Sequence, residues 1–294
     1  MKKNVLIVNY NTQNLTDACI RSVNKTTPGC MIYVFDNSDK EPFKNTFTNV
    51  TIFDNTKGQI IDFCEWLKKY PNNVKSGEAT KIRGSAKHCY TVERCLYLIG
   101  GGFVLLDSDV LVKKDFSNLY DDKLIYVGDV EKQAKTTIKR VLPFICYINS
   151  DMCTQNNVHF FESDKMHGLY NTQKGESYDT GAAFYLSSLN FPHKEIKYED
   201  YVVHLKGGSW FDTNKKYMKK VHKKEITVTP EEWLEKYRYL WEEDKEQKND
   251  KSEPEKPKPA PEEKVMPVEK KKEAEVKYLK MAKTSDRKIG VLNR

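Results

Sequence analysis

The chain has no apolar run long enough to cross a membrane. Among its 294 residues, no hydrophobic stretch approaches the roughly 20 residues that span a bilayer. The first apolar run follows Met1-Lys2-Lys3 and already meets a polar residue at Asn9. We therefore expect no transmembrane segment, which favours a cytoplasmic protein.

The chain also lacks paired cysteines and a large excess of charge of either sign. The seven cysteines are an odd number, scattered through apolar segments without a Cys-x-x-Cys pair, so reduced core thiols fit better than disulfides or zinc ligands. The net charge of +7 divides into +3 for residues 243–294, with 15 basic and 12 acidic side chains, and +4 for the rest, with 34 and 30. Such a mild excess of positive charge does not by itself indicate nucleic-acid binding.

The last segment lacks the residues that build a core. Residues 243–294 contain no Cys, Phe or Trp but hold five of the 11 prolines. This composition cannot bury enough apolar surface to offset the entropy of ordering. We expect a folded unit over 1–241 and a disordered, charged tail rich in Pro, Lys and Glu over 242–294. The tail is expected to be solubilising, with weak contact to an anionic surface as the alternative.

The first 110 residues do contain a regular alternation of short apolar strands and helical patterns. The predicted strands cover 4–8, 31–35, 50–53 and part of 103–112, and the predicted helices cover 15–23, 85–98 and a segment from Gly58 to Pro71. This alternation favours an α/β fold with a mainly parallel sheet covered on both faces. Ligands of such sheets bind beyond the carboxyl ends of the strands. The polar clusters at 9–12, 36–38 and 107–109 are therefore expected at one rim.

The run FVLLDSDVLV at 103–112 places two carboxylates inside apolar chain. Burying Asp107 and Asp109 is costly unless a positive charge compensates them. Mg²⁺ or Mn²⁺ would supply that charge, because these ions bind one or two carboxylates together with substrate phosphates. The pattern predicts a metal site with a nucleotide diphosphate as partner, and an ordinary turn or helix N-cap is the alternative.

Three further segments supply candidate site residues. His204 follows an apolar segment, and its neutral imidazole could complete a metal site made of carboxylates. Gly207 and Gly208 come next and let a phosphate approach the backbone closely. Ser209 follows them and can donate a hydrogen bond to that phosphate. Asp179 precedes a small-residue helix start and is a candidate general base. A helix N-cap and a contact to donor-sugar hydroxyls are the alternatives. Lys87, at the start of a helix, is a candidate diphosphate contact or a solvent-facing lysine.

In chain order, the segments LIVNYNT, YVFDNSD, the helix leading into LLDSDV, and VVHLKGGSW resemble the GT-A glycosyltransferases, especially the family-two group, over roughly 4–215. The resemblance implies a Rossmann-like nucleotide-binding half, 1–112, fused to an acceptor-binding half, 113–241. It implies that Asn9 and Tyr10 line the nucleotide pocket, and that Asp36 accepts a hydrogen bond from the base or ribose. It places Asp107 and Asp109 at ribose and metal, with His204 as a further metal ligand.

The expected function is metal-dependent transfer of a sugar, of the hexosyltransferase type, from a nucleotide-diphosphate sugar to an acceptor hydroxyl. The acceptor is a glycan or a lipid-linked, protein or nucleic-acid-borne group. The family's usual acidic pattern around the base is missing at Asp179, which leaves inverting and retaining transfer open. A sugar-1-phosphate nucleotidyltransferase and a non-catalytic nucleotide- or glycan-binding protein are the alternatives. The first needs a Gly-rich loop with Arg and Lys after the first strand, where this chain has Asn9-Tyr10-Asn11-Thr12.

Overall fold

The computed structural model describes residues 2–63, 65, 84–133, 137–162, 178–205 and 228–242, all within the unit Met1–Glu243. Its strands are β1 (Asn4–Asn9), β2 (Met31–Asp36), β3 (Val50–Asp54), β4 (Phe103–Asp107), β5 (Val110–Val112), β6 (Tyr126–Lys132), β7 (Lys139–Ile148), β8 (His193–Glu195) and β9 (Val202–His204). Its α-helices are α1 (Gln13–Thr26), α2 (Gly84–Leu98), α3 (Ser150–Gln155), α4 (Ala182–Ser188) and α5 (Pro230–Lys236). Short 3₁₀ turns cover Ser117–Leu119, Tyr198–Asp200 and Arg238–Leu240.

The described strands form one large sheet and one small one. The large sheet has the order β3-β2-β1-β4-β7-β6-β8, and β5 pairs with β9 in the small sheet. Strands β1 to β4 are joined by parallel pairing, whereas β7 lies antiparallel between β4 and β6. The predicted α/β class with a mainly parallel sheet is therefore confirmed.

The two faces of the sheet carry separate apolar clusters. Side chains alternate between the faces of a strand, so Leu6 and Leu105 pack with Cys89 of α2, while Ile7 packs on the other face with Ile20 of α1. The two helices thus cover opposite faces. The six cysteines in the described part of the chain are buried and free, as the sequence predicts.

The predicted helix from Gly58 is wrong in its first turn. Residues 58–60 form bends and residues 61–62 have no regular structure, because the buried side chain of Asn55 takes the backbone groups of Ile60 and Ile61. Its Oδ1 accepts from the N–H groups of Ile60 and Ile61 at 3.0 and 2.7 Å, and its Nδ2 donates to the carbonyl of Ile61. Most of the rest of that predicted helix, residues 64 and 66–71, lies outside the described residues.

The last described segment packs against the start of the chain. Thr229 and Glu232 form a capping box that starts α5, and Trp233 is buried in a cluster with Leu15 and Ala18 of α1. No helix in the described part of the chain is both long enough and apolar enough to cross a lipid bilayer.

Candidate metal centre

The pairing of β5 with β9 brings His204 to the Asp-x-Asp segment. In the antiparallel register Val110 lies opposite His204, and the N–H of Leu205 donates to the carbonyl of Asp109 at 3.0 Å. Since β5 begins one residue after Asp109, this register fixes a histidine from a segment about a hundred residues away beside the second carboxylate. Asp107 ends β4 at the carboxyl edge of the parallel strands.

Asp107, Asp109 and His204 form one compact cluster. One potential ligand atom from each residue lies within 4.8 Å of the other two. The Asp109 Oδ1 to His204 Nε2 distance is 3.4 Å, and these side chains are only 3% and 8% exposed. The Asp107 side chain is 20% exposed and forms the open side of the cluster.

The electrostatics of the cluster favour an added positive charge. Burial raises the pKa of Asp107 to about 7, and the neighbouring Asp109 carboxylate raises it further, while His204 and Arg140 act in the opposite direction. A divalent cation removes this conflict because it stabilises both ionised carboxylates.

The donor set fits a divalent cation. Two carboxylates with an imidazole suit Mg²⁺ or Mn²⁺, and His204 Nδ1 is buried without a hydrogen-bond partner among the described residues. The imidazole ring packs on Phe144 of β7, with 3.8 Å between ring centroids. This contact fixes the ring plane, and Nε2 is the ring nitrogen that lies beside Asp109.

A second histidine, His88 of α2, borders the cluster. Its Nδ1 lies 3.7 Å from Asp107 Oδ1, and its Nε2 is buried with no partner in the described part of the chain. Burial lowers the pKa of His88 to about 4, against the opposing charges of Asp109 and Asp179. The ring is therefore neutral at physiological pH and adds no charge to the site.

The predicted nucleotide contact Asp36 is engaged with the protein itself. Its Oδ1 accepts from Asn9 Nδ2 at 2.8 Å and from Ser38 N and Oγ at 3.1 and 2.6 Å, and its Oδ2 accepts from Phe43 N at 2.7 Å. The side chain is buried. These contacts organise the loop after β2, and direct contact of Asp36 with a base or ribose stays a prediction.

Asn9 connects this loop to the Asp-x-Asp segment. Its Oδ1 accepts from the hydroxyls of Thr12 and Thr16, both at 2.8 Å, and Thr12 Oγ1 lies 3.1 Å from Ser108 Oγ. The predicted rim clusters are thus joined by hydrogen bonds through Asn9. A direct nucleotide contact of Asn9 likewise stays a prediction.

Tyr10 and Lys87, predicted from separate segments, lie together. The Lys87 ammonium is 5.2 Å from the ring centroids of both Tyr10 and Phe63. The hydroxyl of Tyr10 donates to Asp39 Oδ2 at 2.6 Å, and burial together with this bond raises the pKa of Tyr10 to about 12. The pair offers a partly exposed aromatic face and a cation on the β1 side of the site.

The Asp179 carboxylate is held by Arg140, a residue that the sequence analysis does not predict as part of the site. Arg140 Nη1 donates to Asp179 Oδ2 at 2.6 Å, and Arg140 also donates to Glu131 Oε1 from Nε and Nη2 at 3.0 and 2.5 Å. Asp179 is not the N-cap of α4, because Gly181 occupies that position. Arg140 and Glu131 are cross-strand partners on β7 and β6, and a lone arginine at a strand start carries no local signal for such a role.

The remaining predicted contacts, Gly207, Gly208 and Ser209, lie outside the described residues, as does the predicted tail from residue 243 onward.

No protein-family model and no curated protein matches the chain. Among solved structures it is similar to the galactosyltransferase LgtC in complex with donor and acceptor sugar analogs, at 13% identity and a TM-score of 0.40 over 66% of this chain and 73% of that one. It is similar to S. aureus TarS 1–349, at 14% identity and 0.37 over 72% and 63%. It is similar to the glycosyltransferase GlyE of Streptococcus pneumoniae, at 9% identity and 0.37 over 67% of this chain and 45% of GlyE.

The match thus spans less than half the length of GlyE. LgtC and GlyE belong to the class that the sequence resemblance implies.

Proposed function

We propose that the chain is a metal-dependent glycosyltransferase that moves a sugar from a nucleotide-diphosphate sugar to an acceptor hydroxyl. The observation that carries this proposal is the cluster of Asp107, Asp109 and His204, with Asp109 buried and Asp107 partly exposed, at the carboxyl edge of the parallel strands. Two carboxylates held this close are costly to ionise together unless a positive charge compensates them. A site for a bare structural ion needs no open side, whereas Asp107 leaves one toward solvent.

In this proposal Asp107, Asp109 and His204 hold Mn²⁺ or Mg²⁺ against the donor diphosphate. When bound, the cation supplies positive charge for the leaving phosphate oxygens. Tyr10 and Lys87 receive the nucleotide side of the donor, because an aromatic face and a nearby cation suit a base and its phosphates. Gly207, Gly208 and Ser209 are proposed as further diphosphate contacts.

Asp179 is proposed to receive the proton of the acceptor hydroxyl as that oxygen attacks the anomeric carbon. A carboxylate offers about four lone-pair positions. The described contacts use two of them, one on Oδ2 for Arg140 and one on Oδ1 for the N–H of Thr180. Asp179 therefore keeps acceptor capacity for a substrate hydroxyl while its orientation is fixed.

The first test is thermal unfolding of the full chain with nucleoside diphosphates, each with and without Mn²⁺ or Mg²⁺. We expect at least one diphosphate to raise the melting temperature only when the cation is present, since ligands stabilise the state that binds them. Donor hydrolysis across a panel of nucleotide sugars then identifies the donor. No cation-dependent shift with any diphosphate would overturn the proposal.

The role of His204 is tested by titrating Mn²⁺ against donor hydrolysis in His204→Ala. We expect the cation concentration for half-maximal activity to rise by at least about 10- to 100-fold, because that is the usual cost of losing even an outer partner of a metal ligand. His159→Ala is the control, because His159 also faces a carboxylate, Glu93, but outside the cluster. Coincident titration curves for wild type and His204→Ala would remove His204 from the site.

Two other results would redirect the proposal. Release of pyrophosphate from a nucleoside triphosphate would indicate a nucleotidyltransferase. Cation-dependent binding of a nucleotide sugar without turnover on any acceptor or water would indicate a binding protein.

A further inference from the structure

We propose that Arg140 is a positioning residue for sugar transfer, acting through Asp179. The inference rests on the proposed function, and it goes beyond it by assigning a role to a residue outside both the metal cluster and the nucleotide side. The observation that points to it is the bridge from β7 to the turn before α4, in which one guanidinium contacts Asp179 and Glu131.

The backbone around Asp179 is fixed without Arg140. The N–H of Asp179 donates to Gln133 Oε1 at 3.0 Å, and the N–H of Val141 donates to the carbonyl of Gly181 at 3.3 Å. These contacts tie the turn to the β6 and β7 strands. Loss of the Arg140 side chain should therefore leave the turn in place.

The carboxylate of Asp179, unlike its backbone, depends on Arg140 for its contact with the sheet. Its Oδ1 contacts the N–H of Thr180, which belongs to the same turn and moves with it, whereas its Oδ2 contacts Arg140 on the sheet. Among the described contacts, the one with Arg140 thus fixes the carboxylate relative to the sheet. The guanidinium is itself held in one plane by Glu131, and its side chain is only 19% exposed.

The pair lies beside the metal cluster. Arg140 is close enough for its charge to act on Asp107, and Asp179 is close enough for its charge to act on His88, whose ring borders Asp107. Arg140 therefore holds the Asp179 carboxylate from the sheet, at a place where the charge of Asp179 reaches a residue that borders the cluster. Small displacements of such a group are costly for transfer, because a misplacement of about 1 Å can reduce a rate by about 100-fold.

The test is a double-mutant cycle on sugar transfer by the full chain, combining Arg140→Met with Asp179→Asn. We expect Arg140→Met alone to lower kcat by about 10- to 100-fold. Its Mn²⁺ requirement should be no higher than that of wild type, and the cation-dependent shift with the nucleoside diphosphate should persist. In the Asp179→Asn background the same change should cost less than about 2-fold, because the group through which Arg140 acts is already gone.

Two further variants separate positioning from a loss of folding. Arg140→Lys keeps the charge without the planar fork, so it should recover part of the lost kcat. Arg21→Met is the matched control, because it removes a guanidinium that lies over the Phe47 ring and contacts no proposed site residue among the described contacts, so it should retain wild-type kcat. Both should melt within a few degrees of wild type.

Several outcomes would overturn the inference. If the losses of kcat from the two single variants multiply in the double mutant, Arg140 does not act through Asp179. The same conclusion follows if Arg140→Met keeps wild-type kcat. Neither result contradicts the proposed function. If Arg140→Met instead raises the Mn²⁺ requirement, its role belongs to the cluster. A wild-type chain that transfers no sugar overturns the proposed function, and the inference falls with it.

Discussion

At the scale of single residues, Asp107 and Asp109 are costly to hold together without a cation. They lie two residues apart at a strand end, and their burial and mutual repulsion raise the pKa of Asp107 well above that of an ordinary aspartate. Neighbouring like charges in a dry setting destabilise a fold unless a positive charge enters. The same feature that weakens the metal-free protein therefore gives the site its affinity for a cation.

This conflict makes Asp109→Asn informative in two directions. The amide has nearly the same shape but no charge, so donor turnover should fall by at least about 100-fold, which corresponds to roughly 3 kcal/mol of transition-state stabilisation. The melting temperature of the metal-free protein should stay the same or rise, because a like-charge neighbour of Asp107 is gone. Thermal unfolding without metal and a turnover assay with Mn²⁺ measure the two effects.

Asp121→Asn, in the loop before β6, is the control for removal of a carboxylate and should change neither quantity. Wild-type turnover of Asp109→Asn at an unchanged Mn²⁺ requirement would show that the Asp-x-Asp segment is only a turn.

At the scale of elements, the sequence predicts local structure and motif residues, and it misses contacts that depend on strand pairing and that no motif marks. Strands β1 to β4 and the polar residues after them can be predicted from the sequence, because the residue pattern that indicates each of them lies within about ten residues. The helix beginning at Gly58 was mispredicted because one side chain, Asn55, captures the backbone groups that a first helical turn would use. The Arg140 bridge is invisible because it depends on the β6 and β7 register and on a turn about forty residues further along.

The turn that carries Asp179 depends on a glycine. Gly181 has φ +81°, and a Cβ added there would lie 1.9 Å from the carbonyl oxygen of Val141, which is backbone and cannot turn away. Gly181→Ala should therefore lower the free energy of unfolding by more than the roughly 1–3 kcal/mol of an unfavourable φ alone. Urea unfolding measures this loss.

Gly29→Ala is the matched control, since Gly29 has φ +82° with nothing within 4 Å of an added Cβ. The difference between the two variants isolates the clash with β7. Equal losses at both positions would mean that the turn is not pressed against the strand.

Helix α2 is joined to the segment before α4 by a titrating pair. His159 Nδ1 lies 3.1 Å from Glu93 Oε1, and the hydrogen bond with Glu93 raises the pKa of His159 above its ordinary value of 6.5, against the effect of burial. The folded state therefore binds the proton more tightly than the unfolded state. This contribution to stability is fully present below about pH 6.5 and is lost as the pH rises through the raised pKa.

The free energy of unfolding of wild type should accordingly fall from pH 6 to pH 9 relative to that of His159→Gln, which has no proton to lose. Urea unfolding of both proteins across this range provides the measurement. Parallel stability curves would show that the pair makes no pH-dependent contribution. The effect should be small, because the imidazole is 40% exposed and solvent screens the pair.

At the scale of the whole molecule, the last described segment, residues 228–242, packs against residues that neighbour the metal cluster in β5 and after β9. Trp233 and Leu240 pack in one buried cluster with Leu111 of β5 and with Leu205, the residue after His204. Lys25 of α1 also donates to backbone carbonyls of this segment, at Tyr239 and Glu242. Residues 228–242 therefore pack against the residues at the β5 and β9 pairing. Removing this segment should loosen the pairing.

Two truncations should consequently behave differently. A chain ending at residue 243 should keep the melting temperature, donor turnover and Mn²⁺ requirement of the full chain, because residues 244–294 lack core-forming composition. A chain ending at residue 227 should melt at a lower temperature and need more Mn²⁺, because it loses Trp233 and Leu240 from the cluster behind His204.

Trp233→Ala in the full chain should reproduce the second result at a cost of about 3–5 kcal/mol in the free energy of unfolding, whereas Tyr239→Ala, at a largely exposed position, should not. A loss of melting temperature in the chain ending at 243 would mean that the tail packs on the folded unit. If the chain ending at 227 melts lower but keeps the wild-type Mn²⁺ requirement, the β5 and β9 pairing holds His204 in place without support from residues 228–242.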